Sequence, residues 1–145
     1  MDPVKESGMM PATVEEVKYL CEALQRLNGP HVGDGKEHAI HLVTHRADGS
    51  LAGGILADVA LGWVEIHVLW VQPDLRRRRL GATLLKTCEH RAQALGAHSA
   101  RLDTFDWQAE DFYLRQGYVC FARLGDYPLG HERVFMHKRL QAVTT

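Results

Sequence analysis

Fifteen residues, Val71 to Leu85 (VQPDLRRRRLGATLL), constrain this chain more than any others. The run Trp63 to Val71, rich in β-branched and aromatic residues, reads as a strand that Gln72-Pro73-Asp74 ends. Four consecutive arginines follow, Arg76, Arg77, Arg78 and Arg79. Leu80, Leu84, Leu85 and Cys88 then recur at helical spacing, and Ala92 and Leu95 carry the stripe to Gly96. The first amides of a helix lack internal partners and carry the positive end of its dipole. Gly81 and Ala82 put almost no side chain in the way of an approaching anion. Four arginines beside them suit a diphosphate, although a solvated basic turn ahead of an amphipathic helix would use the same residues.

The rest of the chain alternates the two periodicities. Residues 1–12 read as a loose tail and 13–145 as one domain. Thr13 and Glu16 form a capping box for a helix carrying Val14, Val17, Leu20, Cys21, Leu24 and Leu27, with a stop at Asn28-Gly29-Pro30. His31 to Glu37 reads as a Gly-rich loop. Strands are predicted at 39–46, 51–58 and 63–71, the first two joined at Asp48-Gly49 and the third preceded by Gly62. After the helix from Leu80 come a strand at 99–104, a helix at 107–116 closed by Gly117, and strands at 118–123 and 133–140. The order predicts an α/β (α+β) fold with a mixed sheet flanked by helices.

At 145 residues, 46% hydrophobic and 24% charged, the chain can bury a core without disulfides or metals. Its net charge is −1, and without the four arginines 13 basic residues face 18 acidic ones, so one positive spot sits on an acidic body. That balance argues against coating nucleic acid. Cys21, Cys88 and Cys120 form no CxxC pair and fit a reducing compartment, and Cys88 belongs to the core stripe. The N-terminus lacks the apolar run of a signal peptide. Leu51 to Trp70 is interrupted by Asp58, Glu65 and His67, so it is no membrane span. These features point to a cytoplasmic protein without a membrane or nucleic-acid partner, a monomer or a homodimer.

Two motifs in order resemble the GNAT superfamily of N-acetyltransferases. Its hallmark, Q/R-x-x-G-x-G/A after a strand, is matched by Arg76-Arg77-Arg78-Arg79-Leu80-Gly81, except that Arg79 stands at a glycine position. A left-handed backbone there costs a non-glycine residue about 1–2 kcal/mol. Ala109 to Tyr118 (AEDFYLRQGY) looks like the family's A-x-x-x-Y-x-x-x-G-F/Y segment, and Asp106 stands where many members carry Asn. The resemblance spans about Ala39 to Leu140 and implies a central sheet with splayed strands.

It also implies acetyl-CoA as co-substrate and direct transfer to a primary amine of a small molecule or peptide in a ternary complex. Backbone groups of Leu69 and Val71 would face the cofactor, the Leu69 N–H polarising the thioester carbonyl, with Trp70 in the channel wall. The amides of Arg77, Arg78, Arg79, Gly81 and Ala82 would hold the pyrophosphate with the Arg76 side chain, and Asp106 would join the cofactor site. An attacking amine must lose a proton. Glu65 and His67, two apart on a strand and so on one face, are both candidates for the base, and Glu65 has the spacing of the glutamate in histone-type members. Tyr113 is the candidate acid for the departing thiolate.

The late loop, Gly125 to Arg133, resembles a stretch in small bacterial acetyltransferases, which makes Tyr127 and His131 candidates for the substrate side. His41 and His45 on a strand lie about 13 Å apart, too far for one ion, so no metal is expected. Gly33-Asp34-Gly35-Lys36 lacks the remainder of a phosphate-loop motif. The competing reading is a sensor that binds acyl-CoA without turnover, kept open by Arg79.

Overall fold

The computed structural model describes residues 8–142, which fall into two units, one ending at Gly35 and the other starting at Lys36. Residues 1–7 of the expected tail and 143–145 of the expected domain lie outside the described residues. The first unit holds helix α1 (Val14–Val32), started by the predicted capping box. The Thr13 hydroxyl accepts from the Glu16 amide at 3.1 Å, and the Glu16 carboxylate accepts from the Thr13 amide at 3.0 Å. The predicted stop at Asn28-Gly29-Pro30 is overrun: Pro30 lies inside the helix, which ends at Gly33 with φ +67°. A proline lacks only its own N–H and crowds only the preceding turn, so a last turn can finish around it and close on a left-handed glycine.

The second unit runs β1 (His38–His45), β2 (Leu51–Ala60), β3 (Trp63–Val71), a single 3-10 turn (Pro73–Leu75), α2 (Leu80–Ala94), β4 (Ser99–Phe105), α3 (Glu110–Arg115), β5 (Val119–Gly125) and β6 (Glu132–Arg139). The strands form one mixed sheet in the order β1-β2-β3-β4-β6-β5, with only β3 and β4 parallel. The β2–β3 hairpin turns on Leu61 and Gly62, both at positive φ, as a two-residue type I′ connection requires. α3 is shorter than the 107–116 predicted. The Gln108 side chain accepts from the Phe105 amide and the Thr104 hydroxyl, and that local turn holds the backbone out of helix until Glu110.

One face of the sheet carries the core. Ile55, Ala57, Val64, Ile66, Ala100, Leu102, Val134 and Met136 pack with Leu84, Leu85, Cys88 and Ala92 of α2 and Tyr113 of α3. Burial pushes the Cys88 thiol up to about 11, so it stays a neutral core group. A polar network crosses this core: Glu89, 5% exposed, accepts from the Tyr118 hydroxyl at 2.7 Å and from Lys138 at 3.0 Å. Among the described residues no helix is long and apolar enough to cross a membrane.

That network generates a stability prediction. Lys138→Met leaves the Glu89 charge buried with only the Tyr118 hydroxyl. It should cost about 3 kcal/mol, the low end for removing one member of a buried pair, read from urea unfolding.

Candidate active site

The site begins at an irregularity in β3. Ile66 is opposite Ala57 and Val68 is opposite Leu56, so His67 is an extra residue in β3 and the register shifts by one. Ile66 and Leu69 therefore both face the core, while His67 and Val68 both face the open side. β3 pairs with β4 only from Trp63–Ser99 to Ile66–Leu102. From the bulge onward the two parallel strands have no paired residues, and a gap opens between residues 67–71 and 103–105.

The direction of the amides in this gap follows from alternation. The Gln72 N–H donates to Ala52 of β2 at 2.9 Å, and the Trp70 carbonyl lies 2.7 Å from where a Cβ on Gly53 would stand. Residues 70 and 72 thus point to β2, and the N–H and C=O groups of Leu69 and Val71 point away from it, into the gap. The Val71 carbonyl accepts from Arg76 Nε at 3.0 Å, and the same guanidinium lies over the Trp70 ring, 4.6 Å from its centroid. Arg76 is turned back onto the strand end, an arrangement that its place in the motif did not reveal.

Next to the gap, Arg77 and Arg79 both take left-handed conformations, φ +67° and +64°. Arg79 is the N-cap of α2, and its side chain caps nothing. The first turn of α2 contains no acidic residue, so the dipole end meets no internal countercharge. These two left-handed residues flank Arg78, and a turn of this kind can bring successive amides to one side, where those of residues 77–82 would face an anion. The preceding 3-10 turn is anchored from outside: Arg46 donates two hydrogen bonds to Asp74, at 2.6 and 2.7 Å. The Arg46 guanidinium holds the Asp74 carboxyl down to about 2, so the tie is complete above the usual carboxylate range and lost only as pH falls toward 2.

On the open face a single cross-strand row carries four polar side chains. Asp58 of β2 is opposite Glu65 of β3, Glu65 is beside Arg101 of β4, and Arg101 is opposite His137 of β6. Glu65 Oε2 and Arg101 Nη2 are 2.5 Å apart, and His67 Nε2 is 2.8 Å from Asp58 Oδ2. These residues line a cleft of about 770 Å³ with Glu37, Trp63 and Phe121 among its other walls. Glu65 and His67 thus share a face, as alternation predicts, although His67 does so from the bulge. Sequence reasoning missed Asp58 and Arg101. Counting outward from the two-residue turn at Leu61-Gly62 would have placed Asp58 opposite Glu65.

Two further predicted residues meet elsewhere. Asp106 and His131 pair at 3.0 Å, and the other Asp106 oxygen accepts from the Glu132 amide at 2.9 Å, which ties the loop after β4 to the β5–β6 loop. That amide, then His131, holds the Asp106 carboxyl below its usual value. Around them Trp107 stacks on Phe105 and meets the His131 ring edge-on, while Arg133 lies over Tyr127. Tyr113 is 7% exposed, packed against Phe112 and Tyr118, and burial pushes its phenol up to about 12. Its neighbour Phe112 lies against Gly81, which brings α3 to the start of α2. Among the described residues no group of three or more metal-ligating side chains converges.

The left-handed arginine generates a second prediction. Arg79→Gly relieves the backbone but loosens the unfolded chain, so stability should stay within about 0.5 kcal/mol. Arg79→Val, β-branched in the same conformation, should cost about 2 kcal/mol in the same urea measurement.

Comparison with known proteins bears on the fold and the family. The blasticidin-S acetyltransferase of Streptomyces morookaense is 39% identical over 83 residues, 57% of this chain and 61% of that protein. A crystal structure of an acetyltransferase from Bacillus cereus superposes with a TM-score of 0.85 at 28% identity, covering 91% of this chain and 96% of the other. The fold also matches an aminoglycoside 6'-N-acetyltransferase solved with coenzyme A, at a TM-score of 0.62 and 17% identity over 92% of this chain and 95% of that one. The model of one family matches residues 10–118, three quarters of the chain. The chain belongs to the acetyltransferase (GNAT) family.

Proposed function

We propose that the protein transfers the acetyl group of acetyl-CoA to a primary amine of a small molecule or peptide, by direct attack with both substrates bound. The observation that carries this reading is the loss of β3–β4 pairing beyond Ile66, followed along the chain by two left-handed arginines ahead of α2. An extended, amide-bearing arm can pair with Leu69 and Val71 while its diphosphate rests on the start of α2. The aminoglycoside enzyme of the same fold was solved with coenzyme A, which supports that choice of acyl donor. The Leu69 N–H is positioned to polarise the thioester carbonyl as charge develops on oxygen. Trp70 and Arg76 form the wall at the strand end, and Asp106 holds the loop that follows β4.

Of the two candidate bases, His67 fits better. The Glu65 carboxylate is occupied by Arg101, whereas His67 keeps a second ring nitrogen beyond its contact with Asp58. A phenol at about 12 remains protonated at any working pH, so Tyr113 acts by donating a hydrogen bond to the departing sulfur rather than by being fully deprotonated. The acceptor enters from the open face, where carboxylates outnumber fixed cations along the cleft, and a cationic amine matches that balance. Tyr127 and His131, in the β5–β6 loop, stand outside the lining of this cleft, beside Phe105 and Trp107, and would meet only an acceptor long enough to reach the end of β4. A sensor without turnover depended on Arg79 disrupting the loop, and Arg79 instead takes the left-handed conformation that a glycine there would supply.

Titration calorimetry with acetyl-CoA, with ATP as control, tests the cofactor. Binding should be micromolar, and Arg76→Ala, which removes the group that holds the Val71 carbonyl and covers Trp70, should weaken it about tenfold. Tyr113→Phe should leave that affinity intact and lower kcat about 10²-fold in a thiol-release assay. Equal affinity for ATP and acetyl-CoA would mean that the pantetheine arm makes no contact in the gap, which would overturn this reading.

A further inference from the structure

The base assigned above does not stand alone. His67 is the extra residue of the β3 bulge, and its Nε2 meets Asp58 Oδ2 of the neighbouring strand at 2.8 Å. A carboxylate can only accept at that distance, so Nε2 carries the proton and Nδ1 keeps the lone pair. We propose that Asp58 is a positioning residue for His67, fixing the tautomer and the ring orientation that present Nδ1 to the acceptor amine. This inference rests on the acetyl-transfer reading.

The surroundings of His67 single out Asp58 for that role. Glu65 on β3 is paired with Arg101 from β4, so these two charges offset each other. His137 from β6 stands beyond Arg101 in the same row, and Glu37, ahead of β1, lines the far side of the cleft. Asp58 from β2 is thus the carboxylate in direct contact with the imidazole, and the side chains of the pair remain about two-fifths exposed, open to an incoming substrate.

The proton balance is simple. The acceptor ammonium gives one proton to Nδ1, and its lone pair forms the new C–N bond. The C–S bond breaks with its electron pair going to sulfur, the second proton shed by nitrogen ends on the thiol, and His67 returns its own to solvent. While His67 is protonated, both ring nitrogens donate, Nε2 to Asp58.

The test uses the full chain and the near-isosteric Asp58→Asn. An asparagine amide can donate to Nε2 and so stabilise the opposite tautomer. Nitrogen-15 spectra of the histidine side chains should show His67 protonated on Nε2 in the unaltered protein and a shift toward Nδ1–H in Asp58→Asn. With acetyl-CoA and blasticidin S, 1,4-diaminobutane or phenylethylamine as acceptors, Asp58→Asn should lower kcat about ten- to 100-fold. Affinity for acetyl-CoA should be unchanged, and Asp58→Glu, which keeps the carboxylate, should recover most of the loss. An Nδ1–H tautomer in the unaltered protein, or a kcat indifferent to Asp58→Asn, overturns the proposal. An Nε2–H tautomer without thiol release from any of these acceptors overturns the acetyl-transfer reading, and the catalytic role of Asp58 with it, while leaving the pairing intact.

Discussion

One extra residue in β3 sets the geometry on which the site depends. Without the bulge at His67, strict alternation would send Leu69 and Val71 to the open face and Trp70 into the core. With it, Leu69 and Val71 pack against the core, Trp70 stays outside, and His67 is the unpaired residue, in contact with Asp58. The pairing of β3 with β4 also ends at the residue before it. A bulge strengthens local twist and bends its strand, which is how a sheet can be held together at one end and opened at the other. The gap, the inward-facing amides and the base candidate all share this one cause.

The charge of the loop at the mouth of the gap has a different logic. Four like charges in succession repel one another, and two of these residues adopt a backbone that side chains disfavour. The surrounding structure compensates by fixing the turn ahead of them through Arg46 and Asp74, and by seating Arg76 on Trp70 and the Val71 carbonyl. What remains is a set of amides and guanidinium groups at the positive end of α2, whose first turn carries no acidic residue, with Asp74 close enough to Arg78 for the two charges to interact. Strain and repulsion concentrated in one loop are in keeping with the diphosphate seat proposed above.

Much of this was legible in the sequence, and the exceptions have physical reasons. Strand β3 was readable to its ends because its β-branched run is bounded by Gly62 and by Gln72-Pro73. The loop and helix of the proposed anion site were readable because helix starts follow local rules. The bulge was not, since nothing in Ile66-His67-Val68 distinguishes a regular strand from one with an added residue; only the apolar pair Leu69 and Val71, out of phase with Val64 and Ile66, carries a trace of it. Asp58 escaped notice because its role comes from register across a hairpin rather than from spacing along the chain. The end of α1 was missed because Pro30 falls where a final turn tolerates it.

The central claim is that the β3–β4 gap and the start of α2 form one continuous seat for acetyl-CoA. The most direct measurement is the backbone amide spectrum of the nitrogen-15-labelled protein during titration with acetyl-CoA. The account predicts that the largest shifts fall on Leu69, Val71 and the amides of Arg77 to Ala82, all saturating together. Saturable shifts confined to the β5–β6 loop or to the far end of the sheet, with those amides unmoved, would contradict it.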